Sequence, residues 1–75
     1  MKIRDEFRPH LLNEAGLAKA DEIAGVFTEA LDGIEKVCGK DGREMALVRT
    51  ALQEACFWAK RAMAVRPENQ KQQSA

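Results

Sequence analysis

Serine, histidine and cysteine are scarce in this chain of 75 residues, and each shortage closes a route to chemistry. Ser74 is the lone serine and sits in a polar tail; His10 is the lone histidine. With the two cysteines, Cys38 and Cys56, one chain cannot supply a zinc site of the usual four-ligand kind. His10 has no Ser or Cys beside it in sequence to activate as a nucleophile. The glycines fit neither nucleotide-binding fingerprint. The acids are numerous but fall on helix faces, where solvation is their ordinary role. No catalysis, metal or cofactor is expected.

Long apolar runs are also missing. The start, MKIRDEFRPHLL, carries acids and a proline where a signal peptide needs an apolar stretch. No segment reaches the roughly 18 apolar residues of a membrane span. The expectation is a soluble cytoplasmic protein, with Cys38 and Cys56 as small buried hydrophobes in a reducing compartment.

What is present is heptad spacing. Asn13 is a natural N-cap, with Glu14 in the first turn. Apolar residues then recur at Ala20, Ile23, Phe27, Ala30, Ile34 and Val37. This alternation of three- and four-residue steps is a helical seam, not strand alternation. Gly39 ends the run. Asp41 can cap a second helix, with Glu44 placed as in a capping box. That helix repeats the spacing at Met45, Val48, Leu52, Ala55, Ala59 and Ala62, and Arg66-Pro67 stops it. The tight turn makes the two helices antiparallel. Centred near Asp41, it sets Ile34 against Val48, Ala30 against Leu52, Phe27 against Ala55 and Ile23 against Ala59, so that large faces small at three of the six layers. Cys56 then lies opposite Val26, far from Cys38, which disfavours a disulfide.

The expected class is all-α: an antiparallel two-helix hairpin over residues 13–66, an N-terminal arm over 1–12, and a polar, disordered tail over 67–75. Each helix carries a second apolar set, with Leu17, Ala24 and Leu31 on the first and Leu47, Ala51 and Trp58 on the second. A hairpin has one inside, so these stripes predict a compact homo-oligomer, with Trp58 at the subunit contact and Phe57 nearer its rim.

Charge is neutral overall but divided. Residues 13–38 hold six acids and two lysines; residues 39–66 hold six bases and three acids. Either an anionic partner meets the second half, or an acidic helix lies on a basic one. Arg49 and Thr50, mid-helix, would suit a phosphate. Alternatively, Arg49 pairs with an acid of the first helix and Thr50 bonds its own i−4 carbonyl. Lys60 and Arg61 complement the dipole at the helix C-terminus. In the arm, Phe7, Arg8 and His10 offer planes on which a splayed base could stack, or the arm packs Phe7, Leu11 and Leu12 over the hairpin's end.

Residues 42–64, GREMALVRTALQEACFWAKRAMA, resemble the second half of the small phage hairpin proteins that act as anti-CBASS cyclic-oligonucleotide sponges, whose hairpin domain is shared with anti-Thoeris sponges. The resemblance rests on Arg43, Glu44, Leu47, Thr50, Leu52, Glu54, Ala55, Trp58 and Ala59. It extends upstream through Glu22-Ile23 to Cys38, with Phe7 and His10 in register with an arm containing Phe and His. It implies binding of cyclic di- and trinucleotides without cleavage, in the cytoplasm of a bacterial host, by an oligomer that is typically a hexamer. No membrane and no nucleic-acid polymer is implied. The implied ligand set is Phe7, Arg8, Pro9, His10, Lys19, Arg49 and Thr50. One departure is visible: the family carries a Tyr in the arm and a basic residue early in the first helix, where this chain has Pro9 and Ala24. Two other classes fit the residues alone: a purely structural helical module, and a small nucleic-acid-binding regulator, the latter disfavoured by the neutral charge and the lack of a basic face.

Overall fold

The computed structural model describes Arg4 and residues 10 to 71. Helix α1 runs over Glu14–Cys38 and helix α2 over Arg43–Ala64. A single 3-10 turn, Pro67–Asn69, follows. The two helices pack on each other, and among the described residues the sole strand-like feature is one antiparallel bridge between Leu12 and Gln70. This is the all-α hairpin that the heptad spacing predicts.

The helix ends follow local chemistry. The Asn13 side-chain oxygen accepts from the Gly16 amide at 2.8 Å, as the sequence anticipates. Gly39 closes α1 with φ at 81°, and its amide bonds the Glu35 carbonyl at 2.8 Å. The start of α2 departs from expectation. Gly42, with φ at 107°, is the N-cap, and no side chain caps the helix. The four residues 39–42 join the helices, and the turn takes positive φ at Gly42, a backbone that glycine tolerates, which leaves Asp41 one residue short of the capping position.

The seam also differs from the heptad reading. Val37 is 85% exposed, and Ala30, Ala55 and Ala62 are exposed as well. Ala24, Leu31 and Cys56 are half-buried instead, beside Phe27 and Leu52. A straight helix drifts about 20° per heptad against a 3.5-residue repeat. Over the three heptads of α1 this turns Val37 outward and brings Leu31 inward. Cys38, the last residue of α1, is exposed and not a buried hydrophobe, and both cysteines are free thiols.

The sequence did not suggest the next contact. Residues 67–71 dock on the root of the arm, while 72–75 of the expected tail lie outside the described residues. The Asn13 amide donates to the Asn69 carbonyl at 3.0 Å, and the Lys71 amide to the Leu11 carbonyl at 2.8 Å. Asn69 is 1% exposed, the most buried polar residue among those described. Its side-chain amide donates to the Met63 carbonyl at 2.9 Å, and its side-chain oxygen accepts from Lys19 at 2.7 Å. Asn13 completes the clasp, donating to the carbonyls of Glu68 at 2.9 Å and Gln70 at 3.2 Å. Composition gave no warning, because the stabilising groups are polar and the partners are backbone carbonyls.

The slab is one helix thick, 51 × 28 × 12 Å. Met45 and Met63 are the buried apolar residues among those described. Leu17, Leu47, Phe57 and Trp58 stand more than half exposed. Phe57 and Trp58 share an edge-to-face contact with ring centroids 5.1 Å apart.

Candidate functional site

Two clefts carry polar groups suited to an anionic ligand. The first opens between the helices, a cavity of about 280 Å³. Ala24, Phe27 and Leu31 come from α1; Leu52, Cys56 and the polar Arg49 and Gln53 from α2; Thr28 lies on its edge. The walls are mostly apolar, which leaves Arg49 as the cation. Its Nη2 donates to the Glu35 carboxylate at 3.0 Å and to the Lys40 carbonyl, tying α2 to the turn. Both contacts run through Nη2, so Nη1 and Nε keep their donors. Thr50 donates to the Ala46 carbonyl at 3.1 Å, within its own helix. The hydroxyl oxygen still has lone pairs, but its proton is engaged. In the lone chain, therefore, Arg49 and Thr50 make the internal contacts that were the alternative to a phosphate site.

The second cleft, about 250 Å³, lies at the open end of the hairpin. His10 and Leu12 of the arm root form one wall; Phe57, Lys60 and Arg61 of α2 form the other; Ala20 contributes from α1. This brings an imidazole, an aromatic ring and two cations around one space. Sequence reasoning placed His10 in a ligand set but assigned Lys60 and Arg61 only to the helix dipole. The missed signal is adjacency: Phe57, Lys60 and Arg61 sit three and four positions apart, which places them on one stretch of helix surface.

The remaining candidates are dispersed. Lys19 is bound to buried Asn69, on the clasp. Phe7, Arg8 and Pro9 lie outside the described residues. Of the expected contact residues, Leu17, Leu47, Ala51 and Trp58 are exposed, whereas Ala24 and Leu31 line the interhelical cleft. A third, broad depression on α1 is walled by Glu22 and Glu29, the wrong sign for a phosphate.

Among the described residues there is no cluster of His, Cys, Asp or Glu able to hold a metal ion, and no helix is long and apolar enough to cross a membrane. The described residues form a thin helical hairpin with two clefts that hold cations and with exposed large apolar side chains. The family model described as Acb2/Tad1, hairpin domain, matches residues 1–64, and the chain belongs to that family. No curated protein and no solved structure matches it. The family is the anti-CBASS/anti-Thoeris sponge family, and its domain implies binding and not catalysis. The match ends at Ala64, so residues 67–71 of the clasp lie beyond it, whereas Asn13 and Lys19 lie within it.

Proposed function

We propose that this protein binds cyclic di- or trinucleotide messengers of bacterial defence systems and holds them intact, away from the effectors they would activate. The family match over residues 1–64 carries the reading, because that family is associated with sponge-type anti-defence. The setting is the cytoplasm of a bacterial host. A cyclic oligonucleotide presents one negative charge per phosphate and two or three flat bases. The chain offers matching chemistry in Arg49, Lys60 and Arg61 as cations and Phe57 and His10 as planes. Phe7, Arg8 and Pro9 of the arm, together with Lys19 and Thr50, complete the proposed set. Release of unmodified ligand follows if no group attacks the phosphodiester.

Assembly belongs to the same proposal. Leu17, Leu47 and Trp58 stand more than half exposed, an apolar surface that further copies would cover. A closed homo-oligomer, a hexamer in the proposal, would do so. Leu17, Leu47, Ala51 and Trp58 would form its contacts. A symmetric ligand at a symmetry axis would then meet one residue set more than once.

A structural module with no ligand is the second reading, and the Arg49–Glu35 pair favours it, since the cation is already partnered. Titration calorimetry with cyclic di-AMP and cyclic tri-AMP separates the two. The sponge reading expects tight binding and recovery of unaltered ligand after heat denaturation. Degraded ligand would indicate an enzyme. Absence of binding would leave the structural module. Binding to nucleic-acid polymers with a steep salt dependence would point to a regulator.

A further inference from the structure

We propose that the groove between the arm root and the last turns of α2 is a nucleotide seat, and that Gln70 is the positioning residue that sets its imidazole. The inference rests on the messenger-binding reading and assigns it a place and a control element. Gln70 belongs to the clasp beyond the family match.

The geometry fixes the amide. Gln70 Nε2 lies 2.8 Å from the Ala64 carbonyl oxygen, which can only accept, so the nitrogen is the end that faces it. The same nitrogen lies 3.3 Å from His10 Nδ1. An amide nitrogen has two hydrogens. One goes to Ala64, and the other is directed to the ring nitrogen. His10 Nδ1 is thereby the acceptor, and the neutral ring carries its proton on Nε2. That tautomer presents an N–H donor on the groove wall formed by His10, across from Phe57, Lys60 and Arg61. Two cations and a ring N–H suit a phosphodiester oxygen, and the Phe57 ring, 58% exposed, offers a plane for a base.

Asn69 anchors the device. Buried and bonded to Met63 and Lys19, it holds the 3-10 turn against the end of α2, so that Gln70 falls beside Ala64. The Leu12–Gln70 bridge carries this register into the arm two residues after His10.

The test uses the full chain, with cyclic di-AMP and cyclic tri-AMP as probes. The variant K60A/R61A is expected to weaken binding of at least one probe by about tenfold or more, as loss of charge-assisted bonds does. The charge-preserving K60R/R61K is expected to retain more of that binding than K60A/R61A, since both charges remain. Gln70→Ala is expected to weaken the same probe by about three- to tenfold. It should also shift the His10 ring nitrogens, in 15N spectra at about pH 8, away from the Nε2–H tautomer. Parent binding that survives K60A/R61A would overturn the seat while leaving the messenger reading intact. A parent that binds neither probe would remove both. Weakened binding by Gln70→Ala with an unchanged tautomer would overturn the positioning role, because Gln70 would then act only through stability.

Discussion

Glycine-to-alanine substitutions along α1 should change sign with position. In an ordinary helix interior the exchange stabilises by about 0.5–1 kcal/mol, because alanine loses less backbone entropy. Gly25 and Gly33 have open space where a Cβ would stand. Gly16 is different. A Cβ there would collide with the Asn69 carbonyl oxygen and press on Leu12 at 3.0 Å. That oxygen belongs to backbone and accepts the Asn13 amide, so it cannot swing aside. The chain's cheapest response is to release the clasp. The penalty is therefore capped by the docking energy of residues 67–71, a handful of hydrogen bonds at about 1 kcal/mol each less the entropy of ordering the strap. After the propensity gain, Gly16→Ala should destabilise by about 1–3 kcal/mol. At about 4–8 °C per kcal/mol for a domain of this size, its Tm should fall by about 4–24 °C, while Gly25→Ala and Gly33→Ala should each raise it by about 2–8 °C. The assay is thermal unfolding by circular dichroism at one fixed protein concentration, since association makes Tm depend on concentration. A Gly16→Ala protein that melts at or above the parent would refute the clasp. A fall for Gly25→Ala would instead mean that this face of α1 packs against another subunit.

Asn13→Asp keeps a good N-cap but replaces two amide donors with a carboxylate facing the Glu68 and Gln70 carbonyls; a loss of about 1–3 kcal/mol in denaturant unfolding is expected, where cap rank alone predicts none. Arg49→Ala and Thr50→Val, made separately, should weaken messenger binding by about tenfold and about threefold while sedimentation shows the oligomer intact; normal binding by both would remove them from the ligand set. Leu47→Asp and Trp58→Asp, each placing a charge on an exposed apolar face, should reduce the assembly to smaller species at micromolar concentration by sedimentation velocity. An unchanged sedimentation coefficient for both would place the contact elsewhere.

The hairpin was legible because its signals are local and redundant. Asn13, Gly39 and the apolar spacing point to the same two helices that the structure contains. The precise seam was less legible: a heptad template holds only for helices that supercoil, and Val37 and Ala30 show that this pair does not follow it. The clasp was invisible for a different reason. Asn69 and Gln70 lie in a polar segment whose composition reads as unstructured, and their partners are the carbonyls of Met63 and Ala64, which no residue pattern encodes. Pairing Arg49 with a helix-one acid was foreseeable, but Glu35 could be singled out only once the register was known.

The thinness of the fold joins stability, assembly and binding into one equilibrium. Two buried methionines in a slab 12 Å thick leave the lone hairpin with little core of its own. In the proposed assembly, further apolar burial comes from other copies, and whatever binds between copies stabilises the folded chain by mass action. Linkage is reciprocal: if a messenger strengthens the assembly, the assembly strengthens messenger binding by the same factor. Leu47 and Trp58 line neither cationic cleft. Aspartate at either position should nevertheless lower messenger affinity if ligands sit between subunits, and the loss should shrink as protein concentration is raised. A loss independent of concentration would mean that each chain holds its ligand alone, within the groove that the clasp defines.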